Sequence, residues 1–156
     1  MTASTSVAGR LAELGITLPA AAAPIASYVP VVVHGGIATI SGQLPFVDGQ
    51  LMTGRLGEDV SLEQGTAAAR ACGLMILAQL EAAGLLERVE RVVKLGAFIS
   101  STADFTDQPV VANGASDLMS EVFGEAGKHA RSAVGVPVLP RGAAVEVDAV
   151  VAIRAD

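Results

Sequence analysis

The sequence predicts an α+β fold, one mixed β-sheet covered on one face by two helices, and three observations carry that prediction. β-Branched runs separated by turn signals occupy both ends of the chain. Two apolar-periodic segments with helix start and stop signals lie between them. Read in sequence, the elements follow the order β-β-β-α-β-α-β-β, which places a sheet on one side and helices on the other. At 156 residues the chain has the length of one domain, so residues 1–156 are read together.

Ahead of the sheet, Val7, Leu11 and Leu14 recur at helical spacing with Gly15 placed to end the turn, predicting a short N-terminal helix. Leu18 to Pro30, rich in Ala and Pro, reads as an extended arm. Val29–Val33 and Ile37–Ser41 flank His34-Gly35-Gly36 as a hairpin, because glycine reaches positive φ without a Cβ clash. Asp48-Gly49 marks a second turn, between Leu44–Val47 and Gln50–Thr53. Ser61-Leu62-Glu63-Gln64 has the form of a capping box and opens a helix running to about Ala83, with Ala68, Cys72, Met75, Ile76, Leu80 and Ala83 as its buried stripe and Gly84 as its stop.

Arg91–Ser100 reads as a strand. Asp107-Gln108-Pro109 opens a second helix, since proline fits a first turn where its missing N–H is not needed, and Leu118, Met119, Val122 and Phe123 form its inner face before Gly124. The last third predicts two strands, Arg131–Val138 and Ala144–Ile153, around Leu139-Pro140-Arg141-Gly142. In the second, Val145, Val147, Ala149, Val151 and Ile153 share one face, Glu146 and Asp148 the other.

Composition narrows the classes of function. Hydrophobic residues make up 51% and charged ones only 17%, more apolar surface than so small a chain can hide, so part of it is expected to face another subunit. With no Trp and one Tyr, that contact must be aliphatic, which favours a permanent homo-oligomer. A net charge of −6 without a basic cluster argues against nucleic acid. One cysteine, Cys72, and two histidines, His34 and His129, are too few for a zinc motif, so chemistry without metal or cofactor is expected. Prolines at 19, 24 and 30 break the first apolar stretch, and no signal peptide or membrane span is read, which makes cytoplasm the default.

Few residues can carry chemistry. Arg131 opens an apolar strand and presents a planar fork of donors suited to a carboxylate, against the alternative of a solvated strand-end arginine. Glu146 lies mid-strand between valines; pattern alone favours an ordinary solvent-face residue beside Asp148. A simple hairpin would place Glu146 opposite Gly135 or Val136 rather than Arg131, so the two charges would have to meet through sheet twist, a longer loop or a subunit boundary. Ser41-Gly42-Gln43 is either a plain turn or a place where a hydroxyl and exposed amides hold a small polar ligand. Tyr28 is a packing residue or a donor to a ligand oxygen. His129 lies near Arg131, but with no Ser or Cys nucleophile evident beside it a surface histidine is expected. Cys72 reads as core and His34 as a turn residue.

Several of these segments, in this order, resemble the Rid family, the reactive-intermediate deaminases, also called YjgF-like and formerly liver perchloric-acid-soluble-protein endoribonucleases. The likeness runs from about Pro24 to the C-terminus. It rests on Ser27-Tyr28-Val29-Pro30, Ile40-Ser41-Gly42-Gln43-Leu44-Pro45, Glu81-Ala82-Ala83-Gly84-Leu85, the strand Val92–Ile99, Ala130-Arg131-Ser132, Leu139-Pro140 and Val145-Glu146-Val147. The resemblance implies a chorismate-mutase-like fold, a homotrimer whose sheets form a central β-barrel, and ligand sites between subunits.

Active members of that family hydrolyse 2-imino acids or their enamine tautomers to 2-keto acids and ammonia. By resemblance Arg131 matches the arginine that binds the substrate carboxylate and Glu146 the glutamate associated with the attacking water, while Tyr28, Ser41 and Gly42 match pocket positions. Residues 1–20 and the longer segment Asp107–Ser116 are additions, and Asn113 is the candidate counterpart of a pocket asparagine. Two departures stand out: Ala133 replaces a frequent cysteine and Gly135 a frequent glutamate. They motivate a second reading, a small-carboxylate-binding or regulatory protein without turnover. Ribonuclease activity is the third and is opposed by the charge.

Overall fold

The computed structural model describes residues 5–156; the first four residues of the predicted N-terminal extension lie outside the described residues. Helix α1 (Val7–Glu13) starts where the Ser6 hydroxyl accepts from Gly9 N at 3.0 Å. The amides of Val7 and Ala8 donate to the Glu87 carboxylate at 3.0 and 2.8 Å, and Arg10 Nε donates to Glu121 O at 2.8 Å, so the helix is fastened to the core elements. An irregular arm then leads to β1 (Val31–His34) and β2 (Ile37–Gln43). Between them Gly35 and Gly36 sit at φ +59° and +77°, the two positive values a tight hairpin turn requires.

Strands β3 (Phe46–Val47) and β4 (Gln50–Leu51) pair around Asp48-Gly49 as a separate two-stranded ribbon, shorter than the strands predicted there and outside the main sheet. Helix α2 (Leu62–Ala82) begins with the predicted capping box: Ser61 Oγ accepts from Gln64 N at 3.1 Å and Gln64 Oε1 from Ser61 N at 2.9 Å. The expected stripe is buried except for Ala83, which lies beyond the last helical turn and is exposed. After β5 (Val89–Ser100), helix α3 (Gln108–Phe123) starts on Pro109 and ends at Gly124. Strands β6 (Ala130–Val136) and β7 (Val145–Ile153) complete the chain.

The main sheet has the order β1-β2-β7-β5-β6, with β5 and β6 parallel and the other pairs antiparallel. The last two strands are therefore not neighbours, contrary to the hairpin reading, because β5 lies between them. Burial explains the placement. The helix-facing side chains of β7 are all buried, which suits a central strand bonded on both edges, whereas β6 carries Gly135 and exposed Ser132 and Val134, which suits an edge.

Helices α2 and α3 cover one face and cross closely at glycines: a Cβ on Gly114 would stand 2.0 Å from Thr66 O, and one on Gly73 2.9 Å from Leu118 Cδ2. Ile40, Ile76, Leu80, Leu95, Ile99 and Leu118 fill the core beneath them. No described helix or strand covers the other face of the sheet. There the register aligns Val32 with Thr39, Thr39 with Val150, Phe98 with Glu146 and Val134 with Phe98, a mixed face that also carries Lys94 and Asp148 and on which Val32 and Val134 are about half exposed.

Candidate functional site

Arg131 stands on the edge strand β6 opposite Leu95, so its side chain lies on the helix-covered face and reaches α3. Nη1 donates to Asn113 Oδ1 at 2.9 Å and to Ser116 Oγ at 3.1 Å, and Nη2 donates to Pro109 O at 3.2 Å. All three acceptors are neutral. A guanidinium has five N–H donors, so Nε–H and one Nη2–H remain without a protein partner among the described residues, donors a carboxylate could take. Asn113, the candidate pocket asparagine, thus touches the candidate carboxylate clamp.

Ser116 follows Asn113 by three residues and lies on the same face of α3, the signal by which the sequence could have placed it beside Arg131. Its Oγ is also 2.8 Å from His129 Nε2, while His129 Nδ1 is 2.6 Å from Gly127 O. Because a carbonyl only accepts, Nδ1 carries hydrogen; in the neutral ring Nε2 accepts and the Ser116 hydroxyl donates. The result is a chain Gly127–His129–Ser116–Arg131. The expectation of a surface histidine without a hydroxyl neighbour is corrected: residues 13 apart meet because α3 and the turn after it return the chain to the start of β6.

Glu146 occupies the uncovered face. In β2 the two residues between Ile40 and Gln43 oppose the single residue between Ala149 and Val147, a bulge that holds Ser41 and Gly42 inside the strand rather than at its end. The bulge turns Gly42 toward Glu146: a Cβ on Gly42 would meet Glu146 Oε1 at 2.1 Å. Glycine at this position therefore makes room for the carboxylate. Burial, and then the neighbouring Asp148, raise the Glu146 pKa above its ordinary value. Asp148 is likewise raised by burial, opposed by a hydrogen bond from the Gly96 backbone and by Lys94. Ser41 differs from expectation in that its hydroxyl donates to Val29 O at 2.8 Å and fastens the strand to the arm, which leaves only its lone pairs for a ligand.

Within one chain Arg131 and Glu146 lie on opposite faces of the sheet and do not meet. Glu146 has no hydrogen-bond or ion-pair partner among the described residues, so each half of the expected catalytic pair stands alone. Tyr28, exposed on the arm, shares with Gly42 a cavity of about 220 Å³, whose polar wall also includes Gln43, Gln79 and Arg141. Sequence reading missed Gln79 and Arg141. A glutamine between Ile76 and Leu80 on a buried helix face was the available signal for the first.

The departures at β6 also have a local cause. Ala133 packs against the core. A Cβ on Gly135 would lie 2.6 Å from Ser101 Oγ and 2.7 Å from Gln108 Nε2, so these two side chains fill the space a longer residue would need.

Comparison with known proteins agrees with this architecture. The family model described as "YjgF/chorismate_mutase-like, putative endoribonuclease" matches residues 8–151. Protein TCP17 of Trypanosoma cruzi is 56% identical over 155 residues, 97% of both chains. A 2-iminobutanoate/2-iminopropanoate deaminase of Dermatophagoides farinae is 31% identical over 141 residues, 89% of this chain and 95% of its own. Among solved structures, the protein Atu1372 of Agrobacterium tumefaciens, of unknown function, superposes with a TM-score of 0.88 at 46% identity, covering 95% of this chain and 92% of that one. With a family-model match over residues 8–151 and a 31% identical relative covering 89% of it, the chain belongs to the YjgF/chorismate mutase-like family.

Proposed function

We propose that this protein hydrolyses small 2-imino acids to 2-keto acids and ammonia, and that it does so in an assembly of three copies. The observation that carries the reading is the Arg131 guanidinium, anchored by neutral acceptors and keeping two donors free. A group so arranged binds a carboxylate without first losing a protein counter-ion. The 31% identity to an imine deaminase supplies the reaction class.

In the proposed reaction Arg131 holds the substrate carboxylate, while Glu146, made more basic by burial and Asp148, takes a proton from water as the oxygen bonds to the imine carbon. The nitrogen, which receives the C=N π pair, takes that proton to give the carbinolamine; a second proton then passes from the carbinolamine hydroxyl to nitrogen through Glu146, the C–N bond breaks, ammonia leaves and the C=O bond forms. Because Arg131 and Glu146 occupy opposite faces of one sheet, the proposal brings Glu146 of one copy to Arg131 of another, with Tyr28 and Gly42 on the glutamate side. The half-exposed valines of the uncovered face, Val32 and Val134, support such association.

The test is release of keto acid and ammonia from freshly generated 2-imino acids, with Arg131→Ala and Glu146→Gln each at background. Co-refolding the two inactive variants should then restore about one quarter of the sites if each site takes its arginine and glutamate from different copies. No acceleration over buffer by the wild type across several side chains refutes the activity; no recovery on mixing refutes the shared site. Free Arg131 equally favours a second reading, carboxylate binding without turnover. That reading holds if keto acids raise Tm in the wild type and not in Arg131→Ala while hydrolysis stays at background.

A further inference from the structure

The connection before β7 breaks a local rule at Arg141. Pro140, Arg141, Gly142 and Ala143 form a tight turn closed by Ala143 N donating to Pro140 O at 3.2 Å, with Arg141 at φ +59° and Gly142 at φ +74°. Two successive positive φ values suit Asn-Gly or Gly-Gly; a long side chain at the first position carries a conformational cost that Asn or Gly would avoid. An outlier kept at a cavity mouth points to use of the side chain.

Arg141 lines the cavity of about 220 Å³ beneath the N-terminal arm. Its Cζ lies 5.8 Å from the centroid of the Phe46 ring, so the guanidinium rests over an aromatic face. It has no carboxylate or hydrogen-bond partner among the described residues. Gln79, only 3% exposed, lines the same cavity. Its Nε2 donates to Ala22 O at 2.7 Å and to Gln43 Oε1 at 3.2 Å. Ala22 O can only accept, which fixes the amide orientation. Both N–H groups are thereby used, and Gln79 Oε1 accepts from no group among the described residues. Leu44, Pro24 and Ile25 add aliphatic wall to the cavity.

From this arrangement we infer a second acid-binding site, built by Arg141 and Gln79 under the arm, for a small monocarboxylic acid with an aliphatic chain and one hydrogen-bond donor. Arg141 takes the carboxylate, Gln79 Oε1 accepts from the ligand's N–H or O–H, and the apolar wall takes the chain. The cavity suits a ligand of this size better than a drug-sized one. It shares Tyr28 and Gly42 with the proposed catalytic wall, but the inference rests on Arg141 and Gln79 and needs neither turnover nor Arg131.

The test is calorimetric titration of the wild type with 2-aminobutanoate, 2-hydroxy-3-methylbutanoate, 3-methylbutanoate and butylamine. The first two, or one of them, should bind; 3-methylbutanoate should bind at least several-fold more weakly and butylamine not at all. Arg141→Asn preserves the turn, since asparagine tolerates positive φ, so its Tm should equal or exceed that of the wild type while affinity falls tenfold or more. Arg131→Ala should keep this binding. The Gln79 side-chain amide resonances should shift on titration of the wild type. Binding unchanged in Arg141→Asn, loss of binding in Arg131→Ala alone, or no binding of either donor-bearing acid overturns the inference. None of these outcomes depends on whether imines are hydrolysed.

Discussion

Replacing Gly42 with alanine isolates the one contact through which the β2 bulge governs Glu146. The backbone itself accepts alanine, because Gly42 is not among the positive-φ residues. The added Cβ would stand 2.1 Å from Glu146 Oε1, and the carboxylate must retreat by about 1.3 Å to reach the 3.4 Å of ordinary contact. Stability should hardly move. A Gly→Ala change gains about 0.4–1 kcal/mol from the unfolded chain, and the displaced atom is the far end of a half-buried side chain rather than backbone. Thermal unfolding should therefore shift by no more than about 4 °C.

Catalysis should respond differently, because a reacting group misplaced by about 1 Å can lose roughly 100-fold in rate. Steady-state assay of imine hydrolysis should show kcat down by about that factor with KM little changed, since the carboxylate clamp at Arg131 is untouched. Shortening the acid by one C–C bond, about 1.5 Å, in Gly42→Ala/Glu146→Asp should recover part of the loss relative to Gly42→Ala. If Gly42→Ala keeps kcat within threefold of wild type, Glu146 is not held in working position by the bulge, and the role assigned to this pair is wrong.

Other sites give equally direct checks. Gly114→Ala places a Cβ 2.0 Å from Thr66 O and 3.0 Å from Arg70 N, backbone atoms of α2, so the helices must part; a cost of about 3 kcal/mol, seen as a fall in Tm of roughly 10 °C, is expected by calorimetry. For Glu146→Gln the sign follows from the raised pKa: the folded state holds this proton more readily than the unfolded state, so ionised Glu146 lowers stability at neutral pH. Urea unfolding should find Glu146→Gln the more stable at pH 7.5, with the advantage shrinking as pH falls through the folded pKa toward the ordinary 4.5; an advantage that grows on acidification contradicts the assignment. Ser116→Ala removes one acceptor from Arg131 and the donor to His129, and should raise KM by up to about tenfold, the worth of one charge-assisted bond, with a smaller change in kcat.

Local patterns exposed most of the fold. The capping box at Ser61 and Gln64, the paired positive-φ turns at Gly35-Gly36 and Asp48-Gly49, and the strict alternation from Val145 to Ile153 each depend on a few neighbouring residues, and each stands where the sequence puts it. Strand order was less legible. Nothing local says that β5 enters between β6 and β7, because that choice is decided by which strand can bury a whole face and accept partners on both edges. The same limit hid part of the site. Ser116 and His129, or Gln79 and Ala22, are brought together only by the packing of α2 and α3 on the sheet. Arg141 escaped notice because its turn reads as ordinary loop sequence until its backbone angles are known.

The placement of the two candidate catalytic charges has a physical logic of its own. Had β6 and β7 formed a hairpin, Arg131 and Glu146 would have shared one small sheet and could have been drawn into an internal ion pair, satisfied and inert. With β5 between them and strand alternation turning them to opposite faces, Arg131 satisfies itself on neutral oxygens of α3 while Glu146 stays unpaired beside Gly42. An arginine without a counter-ion keeps its preference for an incoming carboxylate, and a carboxylate without a cation keeps the raised pKa that makes it a base. Glu146 therefore bears a burial cost in the isolated chain that a proton or a cation would relieve. Within one chain the fold thus keeps the candidate clamp and the candidate base on separate faces, so any site that uses both must draw them from two copies.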